Sequence, residues 1–509
     1  MTPPQMLLEM PTMEAGPASP TVSAAARLKK PNRAQLVISM LDLEQLIPAD
    51  HLARAINSLV QSLPDGGFLQ ANKSVEGHAG RPRTCPQMLV AMWVYGYSQG
   101  VGEAEAIAEE MKYEPALRWL AGNSTISART LSEFRVAHEE ALRGLFADLL
   151  GMLSELKLVD LAQVTLDGTK IKASASGGSF RREKSLREHI ARAAEVVAQL
   201  DQPAAAQAIS AQRRAGLKRA AEERQARLVA SLTELEKVRA SKTKSEQERA
   251  RVSLTDPEAR IMKDGHGGFA PSYNVQIVTD VKHKIIVDVA VTQQGNDQQQ
   301  LAPALERLRQ QHQLPGRLIV DGGYITADNI AAAAALQVEL VGPEFDPAAR
   351  RAASAAASLN QAGIAPEYRP AAFHIIGDQL QCPAGQWMRR IETNSEYTRY
   401  EAKRTDCQGC AHRPQCCPKS GQRTVKVHQP NPVVAAFAEQ MRTEQNKALF
   451  KQRGPVAEFP HAWIKDKHQL RQFHLRGLVK VGTEILWSAL THNIQQWFRL
   501  AWLPKLAQA

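Results

Sequence analysis

The stretch VTLDGTKIKAS, residues 164–174, places one carboxylate at the end of a short apolar run. Val164 and Leu166 are typical of a buried strand, and Asp167 follows them directly, next to a glycine. A second stretch, RLIVDGGY at residues 317–324, has the same form and delivers Asp321. Two strands that each end in Asp-Gly predict two carboxylates held side by side on one sheet.

Length and composition limit the class of protein. The chain has 509 residues, more than one compact core usually holds, so we expect two to four domains or one domain with large insertions. A net charge of +11 favours a polyanionic partner, most often nucleic acid, although many basic proteins bind none. The sequence has neither an apolar run of membrane-spanning length nor a secretory signal pattern, which predicts a cytoplasmic protein without a membrane partner.

The N-terminal third is predicted to be helical. Residues 1–34, rich in Pro, Ala, Ser and Thr, predict a disordered tail. Residues 35–155 have the pattern of an all-helical domain of about five or six helices. The last of these is predicted over residues 131–155, with Thr130 and Glu133 forming a capping box at its start.

Arginines flank the short helices of this region. Arg81, Arg83 and Arg135 would suit a helix-turn-helix-like domain that contacts DNA. The residues alone favour the alternative, a helical bundle whose arginines are merely solvated.

The strand pattern indicates a fold class once one insertion is removed. Residues 183–252 are dense in charged residues and alanine, which predicts an exposed helical hairpin. Strands are then predicted at 273–279, 284–292, 317–321 and 338–341, with helices at 296–311 and 326–336. The remaining order, β-β-β-α-β-α-β, is that of an RNase H-like mixed α/β sheet. In such a sheet the fourth strand lies beside the first, which makes Asp167 and Asp321 neighbours.

Five of the six cysteines are concentrated between residues 382 and 417. Cys407-x-x-Cys410 and the pair Cys416/Cys417 have zinc-ligand spacing, and Cys382-Pro-Ala-Gly suits a knuckle turn. A structural zinc site of Cys382, Cys407, Cys410 and one of Cys416 or Cys417 is one prediction. Free or redox-active thiols are the alternative. A catalytic zinc site is disfavoured because the set would be closed.

A third carboxylate lies in the basic, helical C-terminal region. Glu458 and Lys465 are seven residues apart, so they would share one helix face. Pro460 predicts that this helix starts near Glu458. A surface salt bridge would be the ordinary interpretation of such a pair.

Several motifs together indicate a protein family more specifically than any one of them does alone. The sequence resembles the Asp-Asp-Glu (DDE) transposases of bacterial insertion sequences, in the branch with a helical N-terminal domain and a Tyr-x2-Arg-x3-Glu-x6-Lys-type signature. Phe450 stands at the signature tyrosine, and Arg453 precedes Glu458 by five residues rather than four. The matching pieces are Gly80-Arg-Pro, Ser132-Glu-Phe-Arg135, Leu166-Asp-Gly-Thr-Lys170, Asp256-Pro-Glu-Ala-Arg-Ile-Met262, Val320-Asp-Gly-Gly-Tyr324, the cysteine segment and Glu458-x6-Lys465.

The resemblance implies a domain plan and a site. The plan is a helical DNA-binding domain at 35–155, then an RNase H-like core at 160–343 with a helical insertion at about 176–255. A Cys-containing insertion follows at 344–435, and 436–502 is the helical part of the core that carries Glu458. Asp167, Asp321 and Glu458 would hold two Mg²⁺ or Mn²⁺ ions, because hard cations prefer carboxylate oxygens.

The resemblance also implies an activity. The chain would bind the terminal inverted repeats of its element as a homodimer and would cleave and transfer DNA strands in the bacterial nucleoid. Lys465 would contact a phosphate near the scissile bond, and Lys170 and Arg453 would contact DNA as well. The alternatives are an endonuclease of the same fold without strand transfer, and a non-catalytic DNA-binding regulatory derivative.

Overall fold

A mixed sheet built around strand β1 is the centre of the fold. The computed structural model describes residues 40–64, 67–69, 83–202, 210–264, 267–344, 346–394, 396–429 and 431–508. The first eight strands are β1 Gln163–Lys172, β2 Phe180–Arg181, β3 Val252–Ser253, β4 Arg260–Lys263, β5 Phe269–Asp280, β6 Ile286–Thr292, β7 Arg317–Val320 and β8 Glu339–Val341.

The strand order confirms the predicted fold class. β1 pairs antiparallel with β5 on one side and parallel with β7 on the other, and β6 and β8 lie outside them. Strand β4 also pairs with β5, along the same edge as β6. Helices Leu301–Gln310 and Ala327–Ala335 connect the strands as expected. This is the RNase H-like mixed α/β arrangement, in which the first strand is central.

The charged insertion forms the predicted helical hairpin. Helices Glu183–Asp201 and Ala211–Ala240 pack against each other, and β2 and β3 form a two-stranded sheet at their base. Leu186, Leu228 and Leu235 are buried between them, while most of the remaining side chains are exposed. A short helix, Lys244–Gln247, leads out of the hairpin.

The N-terminal region is helical, with one difference from the prediction. Its helices are Leu52–Ser62, Pro86–Ser98, Ala104–Glu110, Pro115–Leu120, Ala128–Ala137 and Glu139–Glu155. The last two were predicted as one helix, but His138, at φ −127° and ψ 46°, interrupts it. The cap is Ser127, whose hydroxyl accepts the Thr130 N–H, rather than Thr130 itself. Residues 1–34 lie outside the described part of the chain.

These helices share a hydrophobic core with the C-terminal helix Leu478–Trp497 and with the sheet. The indole of Trp487 is 6.4 Å from that of Trp93 and 6.3 Å from the ring of Phe134, measured between ring centroids. The Asn493 side chain bonds both the N–H and the carbonyl of Ile286 at the start of β6, each at 2.8 Å. The N-terminal helices are therefore packed onto the central mixed sheet, and both belong to one compact unit, Glu44–Ala509.

The cysteine segment forms its own small sheet after the helix Pro347–Gln361. The strands are β9 His374–Ile376, β10 Gln379–Gln381, β11 Trp387–Thr393, β12 Tyr397–Ala402 and β13 Thr424–His428. They pair antiparallel in the order β13-β12-β11-β10-β9, around a core that includes Phe373, Leu380 and Met388. Two short helices, Arg404–Gln408 and Arg413–Cys416, connect β12 to β13.

The chain then returns to the main sheet through helices Pro432–Met441, Glu444–Lys451 and Arg453–Ala462, and ends with Leu478–Trp497 and Leu503–Leu506. The helix that carries Glu458 starts at Arg453, not near Glu458 as predicted, and Pro460 lies inside it. It packs against β1 and β5 and continues into a π-helical turn, Trp463–Lys467.

Within the described parts of the chain, no helix is both long and apolar enough to span a bilayer.

Candidate active site

Asp167 and Asp321 occupy neighbouring positions on adjacent parallel strands. Leu166 on β1 is in register with Val320 on β7, so the two aspartates follow at the same level. Backbone groups orient both carboxylates: the Gly168 N–H donates to Asp167 Oδ1 at 2.9 Å, and the Gly323 N–H donates to Asp321 Oδ1 at 2.7 Å. The structure thus brings together the two acids that the sequence placed on one sheet. Asp167 lies within β1, which continues to Lys172, and not at the end of the strand as predicted, whereas Asp321 directly follows β7.

The side chain of Arg453 bridges these two acids. Its Nη2 lies 3.0 Å from Asp167 Oδ1 and 3.6 Å from Asp321 Oδ2. The guanidinium is largely buried, and its Nε has no hydrogen-bond partner. Because both carboxylates lie close to the guanidinium, the position between Asp167 and Asp321 favours a positive charge.

Burial perturbs the acid–base behaviour of Asp167. Only 14% of its side chain is exposed, and this loss of hydration raises its pKa from 3.8 to about 6. Arg453 and the Gly168 N–H oppose the increase, while the charges of Asp321 and Asp297 add to it. A carboxyl with a raised pKa beside other carboxylates is typical of a functional site.

Asp297 is an acid of this site that sequence reasoning missed. It lies in the loop after β6, and its Oδ1 accepts hydrogen bonds from Asn274 Nδ2 at 2.8 Å and Gln276 Nε2 at 2.7 Å. Both donors point from β5, the strand beside β1. The sequence predicted a helix over residues 296–311, but the helix begins at Leu301, so Asp297 lies in the loop before it.

Gly168 must remain a glycine for this arrangement to persist. A methyl group added there would overlap the Asp297 carboxylate and come within 2.7 Å of Gln276 Nε2. We expect Gly168→Ala to displace Asp297, to lower DNA cleavage by roughly tenfold or more and to cost about 1–3 kcal/mol of stability. Cleavage assays and thermal unfolding would measure both effects.

Gly151→Ala is the matched control for this substitution. Gly151 lies in the helix Glu139–Glu155, and a methyl group there meets no atom within 4 Å. The control should leave cleavage unchanged and alter stability by less than about 1 kcal/mol, in the favourable direction. Full activity of Gly168→Ala would show that the position of Asp297 does not matter to the site.

His461 is a second residue that the sequence analysis did not identify. Its Nδ1 lies 3.7 Å from Asp167 Oδ2, and its buried Nε2 has no hydrogen-bond partner. Burial, together with the nearby charges of Lys465 and Arg453, lowers its pKa to about 3. The imidazole is therefore neutral at pH 7, and its contact with Asp167 is not an ion pair. Its spacing, eight residues after Arg453, puts both side chains on the face toward β1.

Lys465 reaches the site from the π-helical turn. Its Nζ donates to Thr169 Oγ1 at 2.5 Å, two residues along β1 from Asp167. Burial lowers its pKa, with a further contribution from Arg471. The wider turn at Trp463–Lys467 changes the direction of the side chains after Ala462, as is common at functional sites. Lys465 is thus close enough to Asp167 for the two charges to interact, and its contact with a DNA phosphate stays a prediction.

Glu458 is not brought to the two aspartates in this conformation. Its side chain is exposed, and among the described residues none forms a hydrogen bond or ion pair with it. Nor does any group of three or more His, Cys, Asp or Glu side chains in the described ranges have an arrangement that could hold a metal ion. From the helix that carries Glu458, it is Arg453 and His461 that contact Asp167.

The other predicted DNA contacts have different environments. Arg135 is buried, donates to the Gly102 carbonyl at 2.5 Å and lies 4.6 Å from the centre of the Trp93 ring. The structure therefore does not support a DNA contact by Arg135, because its charge is used inside the helical core. Arg83 is exposed and Lys170 is half-buried, while Arg81 lies outside the described residues.

Two protein-family models match separate segments of the chain, one in its N-terminal part and one in its C-terminal part. A family model described as "Transposase DDE domain" matches residues 381–498, which include Glu458 and Lys465 but not Asp167 or Asp321. A model described as "Transposase domain (DUF772)" matches residues 41–137, the N-terminal helices. Neither a curated protein nor a solved structure matches the chain. The two matched segments lie on either side of the RNase H-like sheet in the sequence, and together they indicate a DDE transposase of an insertion sequence.

Proposed function

We propose that this chain binds the terminal inverted repeats of its element and catalyses metal-dependent DNA cleavage and strand transfer. Both matched families support a transposase function. The observation that carries the proposal is the pair Asp167 and Asp321 at one level of a central sheet, converging on the cationic group of Arg453. DNA is the expected partner, with Mg²⁺ or Mn²⁺ as cofactor.

The donor set suits a hard cation. The Arg453 guanidinium occupies the position between two carboxylates that a metal cation would take. Carboxylates are the ligands that Mg²⁺ and Mn²⁺ prefer. Asp167 and Asp321 would hold such ions, with Glu458 as a third ligand on the strength of the resemblance. When bound, two ions of this kind activate an oxygen nucleophile and stabilise the leaving oxygen of a phosphodiester.

The chain's own groups prepare the site for this chemistry. Asn274 and Gln276 fix Asp297 behind Gly168, where its charge adds to the increase in the pKa of Asp167. Once Arg453 is released from the two acids, its guanidinium is close to where a DNA phosphate would lie. Lys465, held by Thr169, offers a second cation for the same backbone.

Glu458 is proposed to complete the site by a local movement. It sits between Arg453 and His461 on the helix that faces β1, so a change in the helix or in its side chain would bring it toward Asp167. An exposed carboxylate that no described residue engages costs little to move. The predicted homodimer on DNA and the nucleoid location stay predictions, as do the domain boundaries.

Purified protein and a linear DNA that carries the element's two ends provide the test. We expect nicking at the ends in Mg²⁺ or Mn²⁺, none in EDTA, and joining of pre-cut 3′ ends to a target plasmid. Cleavage without joining would favour the endonuclease alternative. End binding without cleavage in either metal would overturn the catalytic proposal and favour a regulatory DNA-binding protein.

A further inference from the structure

The five clustered cysteines face one small cavity. Cys382, Cys407, Cys410, Cys416 and Cys417 all line a space of about 30 Å³, and none of them is in a disulfide. They come from three places in the fold: the turn after β10, the short helix Arg404–Gln408 with its end, and the helix Arg413–Cys416. A cavity of this size can hold about one ion or water molecule.

Backbone N–H groups are directed at two of the sulfurs. The Gln386 N–H donates to Cys382 Sγ at 3.3 Å, in a tight turn that Gly385 completes at φ +79°. Burial raises the pKa of the Cys407 thiol, and the Arg423 backbone N–H, which donates to its sulfur, opposes this increase. Hydrogen bonds of this kind stabilise a thiolate over a thiol. The turn at Cys382–Gln386 also confirms the knuckle-like geometry that the sequence predicted there.

A buried arginine, Arg423, lines the same cavity as the thiols, where it also lies 5.6 Å from the centre of the Phe373 ring. The side chain of Arg423 donates to the Tyr368 carbonyl at 2.9 Å, its Nε has no hydrogen-bond partner, and the residue is only 7% exposed. Among the described residues no carboxylate forms an ion pair with it. The titratable groups that interact with it are the thiols of Cys416, Cys417 and Cys407. A buried guanidinium is costly beside neutral thiols but favourable beside a thiolate cluster.

We propose that Cys382, Cys407, Cys410 and Cys416 bind one structural zinc ion, with Arg423 as the compensating charge. Four thiolates around zinc carry net negative charge, which is what the buried guanidinium lacks. Cys416 is chosen over Cys417 because Cys416, like Cys382 and Cys407, packs against the core of the small sheet, whereas Cys417 is not part of that cluster. Closing on the ion requires the thiols to move together, since they are not spaced as metal ligands in this conformation.

Zinc would stabilise a small sheet with a limited core. The insertion buries few large side chains, and a metal bound by four thiolates contributes directly to the folding of such a unit. The inference does not depend on the DNA chemistry, since none of these residues contacts Asp167 or Asp321 among the described hydrogen bonds and ion pairs. Its failure would leave the proposed function intact.

Elemental analysis of the full-length protein, purified under reducing conditions without added metal, tests the proposal. We expect about one zinc per chain, released by a mercurial reagent, and a tetrathiolate absorption spectrum after exchange with Co²⁺. Cys416→Ser should lose the zinc, while Cys417→Ser, the matched control at the adjacent position, should keep it. Measurements on the wild-type chain stand even if a variant fails to fold.

Three results would overturn the inference. Zinc below roughly a fifth of an equivalent in the wild-type chain, even after incubation with ZnCl₂, would exclude a structural site. Iron with acid-labile sulfide would assign the thiols to a cluster instead. Loss of zinc from Cys417→Ser and its retention in Cys416→Ser would show that the fourth ligand is wrong.

Discussion

Asp167→Asn and Asp321→Asn are each expected to lower DNA cleavage at least roughly a thousandfold, while binding to the element's ends changes only a few-fold. Metal ions supply several kcal/mol of transition-state stabilisation, and each 1.36 kcal/mol corresponds to a tenfold change in rate. Removing one anionic oxygen from the pair weakens the site for any cation, but it leaves the surfaces that contact DNA phosphates in place. Rates in Mg²⁺ and gel-shift affinities in Ca²⁺ measure the two effects separately.

Asp328→Asn is the control for both variants. Asp328 is an exposed aspartate seven residues after Asp321, in the first turn of the helix Ala327–Ala335. It should cleave DNA at the wild-type rate. If either Asp167→Asn or Asp321→Asn retained wild-type strand transfer in Mg²⁺, the assignment of the site would be wrong.

Glu458→Gln tests whether the exposed glutamate acts as the third ligand. We expect the same thousandfold loss of cleavage, with Glu444→Gln, another exposed glutamate on a neighbouring helix, as an active control. A fully active Glu458→Gln variant would mean that this chain uses another acid. In that case Asp297 would be the first candidate, since its charge already acts on Asp167.

The second large effect concerns stability rather than activity. In EDTA at pH 8, Asp167→Asn should be more stable than the wild-type protein by roughly 2–3 kcal/mol. The reason is that ionising Asp167 in the folded chain is unfavourable, because its pKa is raised from 3.8 to about 6, mainly by burial. Asparagine has no charge to bury. Urea unfolding of both proteins measures the difference.

The sign of the pH dependence distinguishes this explanation from a general packing effect. Below about pH 4 the carboxyl is protonated in both folded and unfolded chains, so the advantage of the variant should vanish. Between about pH 4 and 6 the wild-type protein loses stability relative to the variant, and above that range the difference is constant. An advantage of equal size at pH 4 and pH 8 would contradict the assignment to ionisation of Asp167.

The same variant would thus be inactive and more stable. This combination is expected where a site concentrates negative charge that only a bound cation relieves. Adding Mg²⁺ or Mn²⁺ should stabilise the wild-type protein and not Asp167→Asn, because binding to the folded state alone shifts the unfolding equilibrium.

The sequence by itself determined the sheet and two of its acids. Alternating and apolar runs that end in Asp-Gly are local patterns, and the order of strands restricts the topology once an insertion without strand pattern is removed. The register of Leu166 with Val320 then follows from the fold class, so the proximity of Asp167 to Asp321 was predictable.

Only the tertiary structure decided which other side chains meet these acids. Asp297 and His461 reach Asp167 because a loop after β6 and a helix from the C-terminal region pack on β1. Arg135 has the charge of a DNA contact but is directed into the helical core, which periodicity alone does not show. Glu458 matches the motif but its side chain is exposed to solvent, on a helix that begins at Arg453 rather than near Glu458. Chain-local patterns determine where strands form, whereas the direction of a side chain depends on how distant segments pack.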